Sequence, residues 1–388
     1  MSAPLRIVQV SPFDPRRNEL GGPLELIRQL AAHFNDGHNS IRTVAPGIVQ
    51  AGSVGGLPGL ILCQELCHYR TVSITRLRPL KGAIQTSNVV LIHGYRHWLP
   101  VCAARECRRL GLPYVVHLHG MLNREFRSWV KKWVFDRAVG RSMLTAACTV
   151  VCSSQREATL ARRILPELSR ITVLPHGVGA GTAEDHGISR SETLGTLGIN
   201  PELSLVVTMG RINRSKNFEA TIRGVRRLPG VALIVVGPPE DRSYWSYLQH
   251  IAKQEGLGGR VRFLPGIYGA AKRSLLAAAD AFVSTSHLDS FSMVVAEAIE
   301  QRTPVVYPEW LGIAEYVQGS GVYPLPSTSP NDVAEAIRKA IEGPRVEHGV
   351  VERLMWPNIL CSYEQLFRRL LDNAGDPVEG DASSGLSE

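Results

Sequence analysis

Short apolar runs alternate with longer segments of helical periodicity along most of the chain. The run "LRIVQV" (Leu5–Val10) predicts a buried strand, and "GGPLELIRQLAAHF" after it spaces its apolar residues as an amphipathic helix does. Pro23 suits the first turn of that helix, where its missing N–H costs no hydrogen bond. Further strand candidates in this half are "NVVLIHG", "PYVVHLHG" and "CTVVCSS".

The same alternation starts again after a Gly-rich interval at residues 176–191. The strand candidates of this second series are "LSLVVTMG", "VALIVVG", "VRFLPG", "AFVSTS" and "TPVVYP". Strands that alternate with helices predict parallel sheets covered on both faces. We therefore predict an α/β fold of two doubly wound, Rossmann-like domains, over residues 1–180 and 200–355.

The last periodic segment, "NILCSYEQLFRRLLDN", predicts an amphipathic helix, which we place at residues 356–372. The remaining residues, 373–388, are small and acidic without a core pattern, and we predict that they are disordered.

Length and charge narrow the function. A chain of 388 residues suits two domains, and a net charge of +8 favours anionic partners such as phosphates, nucleotides or an acidic membrane surface. We expect no nucleic-acid binding, because the charge is spread out and no nucleic-acid module appears. No run is long enough to span a bilayer and no signal-peptide pattern is present, so we expect a cytoplasmic protein. The seven cysteines, without a C-x-x-C, indicate reduced thiols rather than zinc ligands.

Two glycines and two cations stand where strands of such sheets end. Gly21 and Gly22 follow the first strand and would let a ligand approach the backbone, although a plain turn is an equal alternative. Arg211 and Lys216 follow "LSLVVT" and could hold a diphosphate. Arg214 between them supports the alternative, an exposed basic loop.

The stretch "HLDSFSMVVAEAI" follows the strand candidate "AFVSTS" and offers two carboxylates at the start of a helix. Ser290 or Ser292 could cap that helix. Asp289 and Glu297 could accept hydrogen bonds from the vicinal hydroxyls of a sugar or ribose. Stabilisation of the helix dipole is the alternative, and it suits Asp289 better than Glu297.

Histidines end the strand "PYVVHLHG". His119 lies at the end where ligands bind, although a structural histidine is an equal alternative. A metal site of His117 and His119 lacks a convincing third ligand, with His93 and His97 as distant candidates, and we expect no metal.

A basic and aromatic segment follows, with Trp129, Trp133 and Phe135. It could lie on anionic lipid, or be surface charge over an aromatic core stripe. The cations in it are Arg124, Arg127, Lys131, Lys132, Arg137 and Arg141.

These motifs in this order resemble the nucleotide-sugar-dependent glycosyltransferases of family 4. The resemblance rests on "GR-x4-K" after a strand, a carboxylate and a glutamate eight residues apart, and "TPVV"; "VLPHGV", "VVHLHG" and Gly21-Gly22 are looser matches. It covers the chain to about Leu371. It implies a GT-B fold, with two facing α/β domains, the donor in the cleft and the terminal helix crossing back to the N-terminal domain. It also implies retention of anomeric configuration without a metal ion or other cofactor.

The resemblance also implies roles for residues. Arg211 and Lys216 would hold the donor diphosphate, and Glu297 would take the ribose hydroxyls. Asp289, with the backbone around Ser290, Phe291 and Ser292, would address the transferred sugar. Gly22 would let the N-terminal loop approach the phosphate or the acceptor, and His119 would contact the donor sugar near the reacting carbon.

The chain departs from the family at its acidic motif. It has Asp289-Ser290-Phe291-Ser292 where the family usually has Glu-Gly-Phe-Gly. The shorter acid and the two serines could alter how closely the sugar is approached.

The resulting hypothesis is a retaining glycosyltransferase that uses a UDP- or GDP-sugar. The acceptor would be a glycan or a lipid-linked saccharide of the cell envelope, at the inner face of the membrane. The alternatives are a GT-B-like sugar-nucleotide epimerase and a catalytically weakened nucleotide-sugar-binding protein.

Overall fold

The computed structural model describes residues 3–15, 21–47, 57–69, 72–122, 129–179 and 190–375. These residues form two α/β domains, each built on one sheet with helices on both faces, as predicted.

Within the described residues, the N-terminal domain contains eight strands in the order β4-β3-β2-β1-β5-β6-β7-β8. The strands are β1 (Arg6–Val10), β2 (Ser40–Gly47), β3 (Leu60–Tyr69), β4 (Val72–Thr75), β5 (Val89–His93), β6 (Tyr114–His117), β7 (Thr149–Cys152) and β8 (Ile171–Val173). The helices are α1 (Gly22–His33), α2 (Arg78–Gln85), α3 (Trp98–Leu110), α4 (Trp129–Phe135), α5 (Arg141–Thr145) and α6 (Gln155–Ile164), with a π-helical turn at Asp136–Gly140.

The C-terminal domain has six parallel strands in the order β11-β10-β9-β12-β13-β14. They are β9 (Ser204–Met209), β10 (Val231–Val236), β11 (Val261–Leu264), β12 (Ala281–Val283), β13 (Val305–Pro308) and β14 (Val322–Leu325). The helices are α7 (Arg190–Thr196), α8 (Phe218–Arg226), α9 (Arg242–Gln254), α10 (Gly269–Ala278), α11 (Met293–Glu300), α12 (Pro330–Glu342) and α13 (Trp356–Gly375), the last of which returns to the first domain.

The uninterrupted apolar runs form strands because both of their faces are covered. In β10, Ala232, Ile234 and Val236 enter one core and the residues between them enter the core on the opposite face. Strands buried on both faces have no polar side, which explains why "VALIVV" is apolar throughout.

Three details differ from the sequence-based expectations. The pair β3–β4 is antiparallel, so the first sheet is not parallel throughout. Helix α7 packs against α10, so the second domain includes residues before 200. Helix α13 continues to Gly375, so residues 373–375 are helical, and the rest of the predicted disordered tail lies outside the described residues.

The chain passes between the domains after Val178 and again before Trp356, and backbone hydrogen bonds join these two segments. The amide of Val178 donates to the carbonyl of Leu354 (2.7 Å), and that of Trp356 donates to the carbonyl of Val178 (3.0 Å). From Trp356 onward, α13 packs on the N-terminal sheet, where the rings of Phe367 and Phe34 lie 5.7 Å apart.

Candidate active site between the domains

A cleft of about 280 Å³ lies where the carboxyl ends of strands from the two sheets meet, the usual place for a ligand in such folds. Both domains line it. The lining residues are His119, Gly120, Leu122, Ser154, Arg156, Glu157, Leu160, Arg211, Ser215, Lys216, His287, Leu288, Asp289, Ser290, Trp310 and Gly312.

The C-terminal side of the cleft carries paired charges. Lys216 ends a 3-10 turn after β9, and its Nζ lies 2.6 Å from Oδ2 of Asp289. Arg211 is half-exposed, and its guanidinium lies 3.1 Å from Glu240. The structure thus brings together three predicted residues, Arg211, Lys216 and Asp289.

Asp289 remains ionised although it is largely enclosed. Burial by itself raises the pKa of this carboxyl, but the Lys216 charge and hydrogen bonds from Lys216 and Ser292 outweigh it and bring the pKa below its ordinary value. A carboxylate therefore stands beside the ammonium group of Lys216.

Ser290 and Ser292 do not cap α11 with their side chains, contrary to the prediction. Helix α11 begins at Met293, and Ser292 before it has a left-handed backbone (φ 74°) without a side-chain cap. The hydrogen bonds of Ser292 go to Asp289 instead. The carbonyl of Ser290 accepts a hydrogen bond from Ser154 (3.1 Å), and Phe291 is buried between the rings of His176 and Tyr316.

Glu297 lies on α11 but is not among the residues that line the cleft. Its Oε1 lies 2.6 Å from Nζ of Lys272, a residue of α10. Its Oε2 is buried and has no hydrogen-bond partner in the described part of the chain. The predicted ribose contact is compatible with this free oxygen and stays a prediction.

The N-terminal side is held by a carboxylate that the sequence reasoning missed. Glu157 accepts hydrogen bonds from the amides of Gly120 (2.5 Å) and Ser153 (2.6 Å). These bonds fix the loop after β6, where His119 and Gly120 both have positive φ, 50° and 76°. Burial raises the pKa of Glu157, and the amide hydrogen bonds oppose that shift. The spacing of Ser154 and Glu157 is that of a capping box, a signal that could have located α6.

Four histidines gather beside this loop. The ring centroids of His117 and His119 are 3.8 Å apart, and His93 and His176 lie within 5.2 to 5.4 Å of His119. Burial lowers the pKa of His93 to about 3 and that of His176 to about 4, and places those of His117 and His119 well below the ordinary value. All four imidazoles are therefore neutral near pH 7.

His93, a distant candidate in the sequence, supplies a third potential metal ligand beside His117 and His119. Nitrogen atoms of His93, His117 and His119 lie within 4.8 Å of one another. Protein groups already engage them: His117 contacts Tyr363 (2.9 Å) and Ser153 (3.4 Å), and the ring planes of His117 and His119 are only 21° from parallel. Lone pairs of near-parallel stacked rings do not converge on one ion, so we keep the expectation of no metal as a prediction. His97 instead packs its ring against Phe13.

Contacts across the cleft hold the domains close together. Glu315 accepts hydrogen bonds from the amides of Gln155 (2.6 Å) and Arg156 (2.8 Å) at the start of α6. A Cβ atom on Gly22 would lie 2.7 Å from Cγ of Met293. Gly22 therefore permits a close approach between the start of α1 and the start of α11. The predicted approach of its loop to a phosphate or acceptor stays a prediction.

Two family profiles match the chain in tandem. The profile of "Glycosyl transferase 4-like domain" matches residues 21–177, and that of "Glycosyl transferases group 1" matches residues 189–353. A "D-inositol 3-phosphate glycosyltransferase" of Xylanimonas cellulosilytica is 28% identical over 330 residues, which cover 77% of this chain and 78% of that protein. The chain belongs to glycosyltransferase family 4.

Solved structures confirm the GT-B fold of this family-4 glycosyltransferase. The sucrose-phosphate synthase of Thermosynechococcus elongatus superposes with a TM-score of 0.77 at 18% identity, covering 95% of this chain and 99% of that one. HepE of Anabaena, in complex with UDP and glucose, gives a TM-score of 0.74 at 19% identity, covering 94% and 100%. Together the comparisons support a glycosyltransferase with a nucleotide-sugar donor.

Proposed function

We propose that this glycosyltransferase transfers a sugar from a UDP- or GDP-sugar to an acceptor hydroxyl with retention of configuration. The observation that carries the proposal is the convergence of Arg211, Lys216 and Asp289 opposite His119 in one interdomain cleft. Cations suit a diphosphate, a carboxylate suits sugar hydroxyls, and a neutral imidazole can accompany a developing positive charge without repelling it.

The chemistry assigned to these groups is electrostatic. When the bond between sugar and diphosphate breaks, negative charge grows on the β-phosphate, and Arg211 and Lys216 stabilise it from fixed positions. Asp289 turns from Lys216 towards the hydroxyls of the transferred sugar. The acceptor hydroxyl attacks the anomeric carbon from the side of the leaving group as the bond from that carbon to the β-phosphate oxygen breaks, and the hydroxyl proton passes to that oxygen. No protein nucleophile takes part in this step, and we expect that no metal ion does.

The departures from the family motif are compatible with activity. Ser292 keeps a left-handed backbone conformation that a glycine would adopt freely. Asp289, although one methylene shorter than glutamate, still reaches Lys216. These observations favour an active enzyme over a weakened binding protein.

The first experiment identifies the donor and the stereochemistry. A thermal-shift screen of UDP-, GDP-, ADP- and dTDP-sugars should show stabilisation by one of them, about 2.7 kcal/mol at a hundredfold excess over Kd. NMR of the product should show the anomeric configuration of the donor. An inverted product would exclude the retaining mechanism, and an isomerised donor formed without acceptor would favour the epimerase. Tight binding without transfer to any acceptor would favour the binding protein.

The acceptor is proposed to be a glycan or a lipid-linked saccharide of the cell envelope, which suits the apolar surface of α4. Trp129 and Trp133 are 66% and 46% exposed, and no described residue of α4 is buried. The alternative of an aromatic core stripe is therefore wrong for these two tryptophans. Lys131, Lys132 and Arg137 flank them, whereas Arg124 and Arg127 lie outside the described residues. No helix of the described chain is long and apolar enough to cross a membrane.

We propose that α4 rests on anionic lipid, as apolar side chains among cations do. Flotation should recover the protein with acidic vesicles and not with neutral ones. Replacing Trp129 and Trp133 by serine should abolish recovery, whereas Tyr247→Ser, at an exposed aromatic of the other domain, should not. Equal recovery of both variants would contradict this role of α4.

A small phosphorylated acceptor is the second candidate. Arg156 lines the N-terminal side of the cleft and is half-exposed, 3.8 Å from Glu315. Such a cation could bind an acceptor phosphate, as the names of the inositol-phosphate relative and the sucrose-phosphate synthase suggest. Transfer to inositol 3-phosphate that Arg156→Ala weakens would favour this acceptor; transfer only to lipid-linked saccharides would exclude it.

A further inference from the structure

A line of hydrogen bonds leads from the interior of the N-terminal domain to the cleft. Gln9 on β1 donates through Nε2 to the carbonyl of Ile27 (2.9 Å) and to Oγ1 of Thr43 (2.8 Å). Its Oε1 lies 3.3 Å from Nε2 of His93, and Nδ1 of His93 lies 3.0 Å from Nε2 of His119.

The hydrogen bond between Gln9 and the carbonyl of Ile27 decides which group donates at each later step. A backbone carbonyl can only accept, so the Gln9 atom facing Ile27 must be the amide nitrogen. The Gln9 oxygen therefore faces His93. Because that oxygen can only accept, Nε2 of His93 must carry a proton.

The same reasoning extends to His119. Burial lowers the pKa of His93 to about 3, so the ring is neutral and its Nδ1 is a bare acceptor. Nε2 of His119 must then carry the proton that this acceptor receives. His119 is also neutral because burial lowers its pKa, which leaves its Nδ1 without a proton.

That last nitrogen has no partner. Nδ1 of His119 is buried and unbonded among the described residues, although its ring lines the cleft. Stacking against His117 at 3.8 Å hinders rotation of the ring, and Tyr363 of α13 and Ser153 hold His117 in turn. An unbonded acceptor in a fixed orientation is the expected counterpart of a ligand hydroxyl.

We propose that Gln9 and His93 are positioning residues that hold His119 in the tautomer protonated on Nε2, so that its bare Nδ1 accepts a hydrogen bond from a hydroxyl of the donor sugar. The sugar contact rests on the proposed function; the tautomer does not. A consequence is that His119 selects for a hydroxyl at this place and cannot donate a proton to the leaving phosphate.

Nitrogen NMR tests the tautomer directly, without substrate. In protein labelled with ¹⁵N-histidine, the His119 signals are assigned by their loss in His119→Asn. At neutral pH the wild type should show a protonated Nε2 and a bare Nδ1. A proton on Nδ1, or averaging of the two forms, would overturn the relay whether or not the protein is an enzyme.

Two variants of His93 test the relay further. His93→Phe removes the acceptor that faces His119, and the proton of His119 should no longer be confined to Nε2. Donor turnover should then fall about tenfold or more in kcat/KM. His93→Asn keeps a carbonyl near the position of Nδ1 and should retain both the tautomer and turnover within about threefold of wild type.

The outcomes separate the two layers of the proposal. If His93→Phe changes the tautomer and leaves kcat/KM unchanged, the sugar contact is wrong. If both variants lose activity equally while the tautomer stays as in the wild type, His93 is merely structural. If the wild type turns over no nucleotide sugar, the proposed function and the sugar contact fail, and the tautomer result still stands.

Discussion

The two sides of the cleft stabilise polar groups in opposite ways. On the C-terminal side, Lys216 is paired with Asp289 and Arg211 with Glu240. On the N-terminal side, His93 and His119 are neutral and held by hydrogen bonds and stacking. A partly buried cation needs a carboxylate as its counter-charge, until the phosphate of a ligand takes the place of that carboxylate. A neutral imidazole needs no counter-charge. The difference teaches that the paired cations Arg211 and Lys216 suit the stabilisation of charge, whereas the stacked imidazoles of the other side suit the orientation of a ligand.

The strongest test of the comparison is Lys216→Ala. It removes a cation from the proposed diphosphate site and takes away the ion-pair partner of Asp289. We expect a loss of about 2–4 kcal/mol in transition-state stabilisation, measured as kcat/KM for donor hydrolysis or transfer. Arg211→Ala should lie at the lower end of that range, because its side chain is 52% exposed.

The control for this test is Lys339→Ala, which removes an exposed lysine paired with Glu335 on α12. It should leave turnover unchanged. If folded Lys216→Ala keeps a kcat/KM near that of the wild type, the assignment of the donor diphosphate site to this side of the cleft is wrong.

The buried histidines of the N-terminal side should make the free energy of unfolding depend on pH. The folded-state pKa values of His93 and His176, about 3 and about 4, lie below the ordinary 6.5. At a pH between the folded-state pKa and 6.5, the unfolded chain binds more protons than the folded protein does. The free energy of unfolding therefore falls as the pH drops from about 6.5 towards 4. Each histidine should make the free energy of unfolding lower by roughly 2 kcal/mol at pH 5 than at pH 7. Denaturant titrations at the two pH values measure this.

His176→Asn provides the comparison, because it removes one buried titrating ring. It should reduce the difference between the two pH values, whereas His250→Asn, at an exposed position on α9, should not. Identical pH dependence in the His176 variant and the wild type would contradict a neutral buried ring.

Glu297→Gln tests whether the donor site on the C-terminal side of the cleft includes the carboxylate of Glu297 on α11. If the free oxygen of Glu297 binds the ribose, the variant should raise the donor KM about tenfold, a cost of about 1.4 kcal/mol, with little change in kcat. Lys272→Met is the matched control, because it removes the ion pair and keeps the carboxylate. An equal rise of KM in both variants would assign the effect to the pair rather than to the ribose.

Gly22→Ala should have the smallest effect and concerns the contact between the two sides. The new methyl group would press on Met293 and oppose closure at a cost of about 1 kcal/mol, seen as a higher donor KM. Met293→Ala in the same chain should restore the KM. Failure of that rescue would show that the close approach does not govern donor binding.

The sequence predicted those parts of the fold that depend on local patterning. The uninterrupted apolar runs of β5, β9 and β10 were predicted as buried strands, and the strands begin and end within one residue of the predicted positions. The antiparallel pairing of β3 and β4 was missed, because local patterning does not show which edge of the sheet a strand joins or in which direction it runs.

The site was predicted unevenly for a related reason. Arg211, Lys216 and Asp289 could be placed because they lie in the loops that follow strands β9 and β12. Glu157 could not be assigned its role, because its importance comes from two amides, of Gly120 and Ser153, that the chain brings to it.

By itself, the sequence determined the alternation of strands and helices, the two domains and the residue types at the strand ends, because these depend on neighbours along the chain. Only the tertiary structure decided which charges pair, that His93 meets His119, and which ring nitrogen is left bare. Pairing, burial and protonation depend on groups far apart in sequence, and their free energies exist only once the fold has removed water from between them.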